Sequence, residues 1–177
     1  GSIQKQFGME KIHKREGYRW VNPVHEALKW KGEGEEKTVF VDGLVLHHYP
    51  DLSKPRSQYL PLLELSAKEN PSDDRTAFWL GREYYYYKEF DKAIAELKRH
   101  LSLPAAKWDE ERCASMRFIA RCYKERGDTL NAKVWLYRAI DEGPHVREPY
   151  YQLAGIGYLE KNWPMVYAIS KKAIETT

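Results

Sequence analysis

"GREYYYYKEFDKAIAEL", residues 81–97, carries four consecutive tyrosines, Tyr84 to Tyr87. Successive residues of an α-helix turn by about 100°, so four in a row cannot all face one core. Tyr84 lies one turn after Leu80, at i, i+4, and is expected in the core. Tyr87, at i+7, is expected along the edge of that face, and Tyr85 and Tyr86 point elsewhere.

The stretch repeats. Leu80-Gly81, Tyr84, Phe90, Ala93 and Leu97 align with Ile119-Ala120, Tyr123, Thr129, Ala132 and Leu136, 39 residues on. A third copy, 34 residues further, has Leu153-Ala154, Gly157, Trp163, Val166 and Ser170, with glycine where a tyrosine is expected. The second copy adds Gly127 at the turn between helices, Ala139 late in its second helix, and Pro144 after it. The five extra residues of the first copy fall around "SLPAAKWDE", a loop containing Pro104. Small residues let paired helices approach, and large ones fill the space between neighbours. This order resembles the tetratricopeptide (TPR) helix-turn-helix repeat. A helical period begins at Ser57, after Pro55, with Tyr59, Leu62, Leu63 and Leu65 as the apolar face of a first helix. That helix should end near Asn70-Pro71, with Ser72 or Asp73 capping the next.

The TPR resemblance implies that the first helix of each pair lines an inner surface. By that register Arg75, Phe78, Arg82 and Tyr85 face the groove from the first copy. Arg117, Arg121 and Lys124 join from the second, and Tyr151 and Tyr158 from the third. Such a basic strip flanked by aromatics suits a carboxylate, a phosphate or an acidic peptide. The alternative is a solvated charged face whose arginine stems cover apolar neighbours.

Residues before the helices do not read as helix. "KTVFVDGLVLHHY" places Asp42-Gly43 between the runs Val39 to Val41 and Leu44 to Leu46, a two-residue hairpin signal. Gly32 and Gly34 mark a longer turn, and Glu26 to Lys31 is expected as another strand of the same small sheet. The expected organisation is a β-rich segment over 1–52 and a helical repeat domain over 53–177, mainly α with about three repeats.

"GYRWVNPVHEALKW", residues 17–30, sets a Trp, a Pro and the pair His25-Glu26 together. His25-Glu26 is not the H-E-x-x-H zinc motif, because Lys29 stands at the second histidine's place. Tyr18, Trp20, Val24, His25 and Glu26, then His47-His48-Tyr49 and a TPR-like region, resemble the C-terminal end of family 2 glycosyltransferases with appended repeats. The resemblance spans residues 12–49 and 57–177. It implies a parent enzyme with a nucleotide-sugar donor and a divalent metal, His25 and Glu26 at the active-site edge, and Trp20 as a stacking wall. His47 is a second candidate on the same ground. No D-x-D, Gly-rich phosphate loop or βαβ series occurs here, and those elements would precede Gly1 in the family's order. Hence no cofactor and no transferase activity are expected of this chain alone. Gly1-Ser2 reads as a cloning remnant on a piece of a longer protein.

The resemblance makes the repeats a scaffold that positions a protein or glycan acceptor, or a partner enzyme, beside its own upstream catalytic domain. A second reading is a free-standing adaptor capturing an acidic or C-terminal peptide, with Arg117 and Arg121 four apart on one helix. A third, a metal-dependent hydrolase on His25, Glu26, His47 and His48, meets a geometric obstacle. Adjacent strand residues point to opposite faces, so at most one of His47 and His48 could join His25.

Composition narrows the classes. Twenty-six acidic residues nearly balance 29 basic ones, for a net charge of +3, so a nucleic-acid binder is not expected. No apolar run of about 18 residues exists to span a membrane. Cys113 and Cys122, nine apart, could not bridge within one straight helix, which fits a reducing, cytoplasmic setting.

Overall fold

The computed structural model describes residues 13–24, 26–39, 41, 43, 49 and 58–176. The chain divides into two units, Gly1–Arg56 and Ser57–Thr177.

In the first unit two short strands, β1 (Tyr18–Val21) and β2 (Ala27–Trp30), pair antiparallel with Tyr18 opposite Trp30 and Val21 opposite Ala27. The Tyr18 and Trp30 rings meet edge to face at 5.0 Å, a cross-strand aromatic pair. The Trp30 indole also donates from Nε1 to the Gly34 carbonyl at 3.0 Å. Gly17 and Gly32 flank that ring so closely that a Cβ on either would lie 2.2 Å from it. The expected strand over Glu26 to Lys31 therefore exists, but its partner is Tyr18–Val21. The Tyr18–Trp30 aromatic pair supports this register. Of the expected hairpin, Phe40, Asp42 and Leu44 to Leu46 lie outside the described residues. Val39 and Val41 are exposed and not in a strand.

The second unit is a run of antiparallel helix pairs. Its elements are α1 (Tyr59–Glu69), α2 (Asp74–Tyr86), α3 (Phe90–Ser102), α4 (Asp109–Glu125), α5 (Thr129–Glu142), α6 (Arg147–Leu159) and α7 (Trp163–Glu175). Asp73 caps α2, its carboxylate accepting from the Thr76 amide at 3.0 Å. Asp128 and Asn162 cap α5 and α7 in the same way. The extra length of the first copy is divided between the loop before α4 and an additional N-terminal turn of α4, a helix of 17 residues against 13 for α2 and α6.

The three helix-pair turns are one structure built three times. Each bends through a left-handed residue, Lys88 (φ 62), Gly127 (φ 79) and Lys161 (φ 57). Each closes with the same two bonds: Lys88 N to Tyr85 O and Glu89 N to Tyr84 O, then their counterparts at Gly127-Asp128 and Lys161-Asn162, all 2.9–3.0 Å.

Small residues set how closely the pairs pack. A Cβ on Gly81 would fall 2.6 Å from Leu97 Cγ, so α2 and α3 touch there through backbone. Gly157 likewise admits Val166 and Met165 of α7, which explains why the third copy dispenses with the tyrosine of the other two. Two cores follow: Phe78, Ala93, Ile94, Leu97, Ile119 and Cys122, then Ala120, Ala132, Leu136, Leu153 and Ile156. Tyr123 and Trp135 pack against both and join them. Tyr84 packs beside the first core, and its hydroxyl donates to Glu64 of α1 at 2.8 Å. Burial and that carboxylate raise the Tyr84 phenol above its ordinary range.

The ends differ from expectation. Of the apolar face read for α1, only Leu63 is buried; Tyr59, Leu62 and Leu65 stay exposed. Among the described residues α1 packs chiefly on α2, and one neighbour covers one stripe. No residue of α7 is buried, for the same reason. Both cysteines are free and buried in α4.

Gly81→Ala is expected to lower stability by about 1–2 kcal/mol, because overpacking outweighs the gain in helix propensity. Lys88→Gly, which relieves a left-handed lysine, should raise it by about 0.5–1 kcal/mol. Urea denaturation of both variants checks the signs. Burial pushes the Cys113 thiol up to about 11 and the Cys122 thiol up to about 12. Folded pKa values above the unfolded ones mean stability that is complete below the ordinary thiol pKa. It is lost as pH rises toward 11–12. Thermal melts between those limits, against Cys122→Ala, read that loss.

Candidate functional site

The helices α2, α4 and α6, first members of the three pairs, share one face. Their side chains meet across it. Phe118 of α4 stands 5.3 Å from Tyr85 and 6.1 Å from Tyr86 of α2, ring to ring. Arg117 of α4 pairs with Glu148 of α6 at 3.7 Å. Gln152 of α6, its amide oriented by its neighbours, accepts from Arg121 at 3.2 and 3.3 Å.

Two arginines lie over aromatic rings on this face. The Arg82 guanidinium carbon is 3.8 Å from the centre of the Trp79 ring and 5.7 Å from that of Tyr86. Arg121 lies 5.2 Å over Phe118. Each pair is an aromatic residue followed three positions later by arginine, and the second is the first displaced by the 39-residue repeat. Helical geometry puts i and i+3 on one side, so each ring supports its arginine from below. The third copy has Gln152 and Gly155 at these places, and the series ends there. Trp79, Phe118, Glu148 and Gln152 were missed by sequence reasoning; the recurring aromatic-x-x-Arg pair is the signal that would have found the first two.

Electrostatics follow from burial and neighbours. Burial lowers the Arg117 guanidinium from its ordinary range; Glu148 opposes the effect and Arg121 adds to it. Burial raises the Tyr85 phenol, with Arg121 pulling the other way.

Of the residues expected in the groove, Arg82, Tyr85, Arg117 and Arg121 do come together. Phe78 does not line it: the ring is buried among Ala93, Ile94, Leu97 and Ile119, because α2 turns that side toward α3. Arg75 is exposed in the first turn of α2, and Lys124 is exposed near the end of α4. Tyr151 is 80% exposed, and Tyr158 rests edge to face on Trp163 at 5.5 Å. In the first unit Glu26 is exposed just before β2, and Trp20 is exposed on β1. His25, His47 and His48 lie outside the described residues. No helix among the described residues is long and apolar enough to cross a membrane.

No family model and no curated protein matches this chain. Solved structures do. A crystal structure of MamA matches with a TM-score of 0.59 at 16% identity, over 68% of this chain and 67% of that one. PilF of Pseudomonas aeruginosa matches with a TM-score of 0.57 at 11% identity, over 66% of this chain and 51% of PilF. A MamA structure named MSR-1 C2 gives 0.54 at 18% identity, over 68% and 66% of the two chains. These are TPR proteins, and at such identities the likeness speaks for fold alone: this chain carries a TPR-like helical repeat preceded by a small antiparallel sheet.

Proposed function

We propose that the helical unit is a protein-interaction scaffold that receives an extended acidic peptide on the common face of α2, α4 and α6. The observation that carries this reading is the repeated stack, Arg82 on Trp79 and Arg121 on Phe118. A guanidinium laid on a ring is desolvated on one face and held in orientation, and its planar N–H fork has the geometry that carboxylates match. Tyr85 and Tyr86 add apolar area beside those cations. Glu148 and Gln152 engage Arg117 and Arg121 from within the chain, so an incoming carboxylate replaces contacts of its own kind. With overall charge nearly balanced, at +3, attraction for an acidic partner has to come from local arrangement, not from net charge. The two buried thiols suit a reducing, cytoplasmic setting.

A glycosyltransferase context is the second reading, supported by the likeness of residues 12–49 to the end of a family 2 transferase and by the exposed Trp20 on the strand preceding His25 and Glu26. There the scaffold holds an acceptor or partner enzyme near an upstream catalytic domain, raising its effective concentration to the order of mM for a short connection. His25 and Glu26 then border the active site of a parent that uses a nucleotide sugar and a divalent metal.

Fluorescence anisotropy with a labelled acidic peptide library tests the first reading. Arg121→Ala is expected to weaken the selected peptide at least about tenfold, as loss of a charge-assisted bond implies. Glu148→Gln, which frees Arg117, should tighten it. Equal binding by wild type and Arg82→Ala/Arg121→Ala sinks the groove assignment. For the second reading, thermal melts with UDP-, GDP- and dTDP-sugars, with and without Mn²⁺, are expected to show no shift. A metal-dependent shift abolished by His25→Ala would instead make this chain a donor-binding enzyme.

A further inference from the structure

The second helix of each pair carries an equivalent position seven residues after Ala93, Ala132 and Val166, buried in the first two copies and half-buried in the third. It holds Ala139 in the second copy and Ala173 in the third, but His100 in the first. His100 is 0% exposed. An imidazole buried where its sister repeats keep a methyl is unfavourable unless both ring nitrogens find partners. Nδ1 has one, the Ser115 hydroxyl at 2.8 Å. Nε2 makes no hydrogen bond to the protein. It faces the Glu111 carboxylate at 3.5 Å, and an oxygen of Asp74 completes a trio of ligand atoms all within 4.8 Å of one another. Asp74 opens α2, His100 lies near the end of α3, and Glu111 is in the first turn of α4.

We propose that Asp74, His100 and Glu111 bind a divalent transition-metal ion of the zinc class, which fastens α2, α3 and α4 together. In the tautomer in which Nδ1–H donates to Ser115, the Nε2 lone pair faces the two carboxylates and three electron-rich groups converge; this is the tautomer a metal would select. A dication between them reverses the sign of every pairwise term. His100 Nε2 and Glu111 Oε1 stand 3.5 Å apart, longer than a direct hydrogen bond between them. That separation fits a metal: ligand atoms about 2.0–2.1 Å from a tetrahedral zinc lie roughly 3.3 Å apart. A rotation of the half-buried Asp74 carboxylate brings the third donor in, and water fills the fourth place. Ser115 then has the part of an outer partner that fixes ring orientation. One imidazole with two carboxylates favours zinc, cobalt or manganese over calcium, which takes oxygen ligands. A second trio, Asp109, Glu110 and His145, is solvent-facing, with His145 Nε2 at 3.7 and 3.6 Å from the two carboxylates, and serves as an internal control.

The test is calorimetric titration of the chelator-stripped full chain with ZnCl₂ at neutral pH, with thermal melts alongside. One ion per chain is expected, with a Tm increase of roughly 5–10 °C at about 100 times Kd. Co²⁺ should give the visible bands of a four-coordinate ion. His100→Ala, which installs the residue of the sister repeats, should abolish both effects, and His145→Ala should leave them. Should His100→Ala not fold, Glu111→Gln keeps the side-chain volume and is expected to weaken Zn²⁺ at least about tenfold. The proposal is overturned by absence of Zn²⁺ binding, by binding that survives His100→Ala but not His145→Ala, or by an equal Tm increase with Ca²⁺.

Discussion

Close backbone approach within each helix pair is the constraint on which the helical unit depends. At Gly81 the α2 backbone lies against Leu97, with no room for a single added carbon. At Gly157 the approach of α7 is looser, a Cβ there lying 3.2 Å from Val166 Cγ2. Once a pair is that close, the residues on its outer sides, Ile119, Leu136, Leu153 and their neighbours, are directed into the next pair, and the cores become continuous through Tyr123 and Trp135. The identical left-handed turns at Lys88, Gly127 and Lys161 set the angle at which each pair folds back. Stability in such an array is shared between neighbours, and among the described residues α1 and α7 each pack chiefly on one helix.

The same packing builds the candidate binding face. Because α2 and α4 repeat at 39 residues, Trp79 and Phe118, and with them Arg82 and Arg121, come to equivalent places on adjacent helices. Stacking keeps the cations apart from solvent on one side and aligned with one another. Glu148 and Gln152 from α6 then moderate the positive strip from inside. On the function proposed above, such a face would select by charge and planarity a partner whose carboxylates are spaced along an extended chain.

His100 shows what a repeat can hide. At the equivalent position of the second helix the other two copies carry a methyl, Ala139 and Ala173. Placing an imidazole there brings it between the starts of two successive first helices, where acidic residues are favoured by the helix dipole. Asp74 and Glu111 are present for reasons of local helix chemistry, and the buried ring turns their positions into a shared site.

The sequence by itself determined the helix-pair repeat, the turn at Gly127, a cap at Ser72 or Asp73 and the end of α1 near Asn70, because these rest on interactions within a few residues; the structure chose Asp73. Of the four tyrosines, Tyr84 beside the core and Tyr86 turned outward were legible for the same reason; Tyr85 was not, since it packs on the core as well as meeting Phe118, nor was Tyr87, which is exposed and not packed at the core edge. What only the tertiary structure decided involves residues far apart in the chain. Phe78 and Arg82 are four apart on α2, yet the packing of α3 buries the first and leaves the second on the shared face. Arg117 meets Glu148, and His100 meets Asp74 and Glu111, only because three helices converge. Helical period tells which residues share a side; which side is covered depends on neighbours the period does not contain.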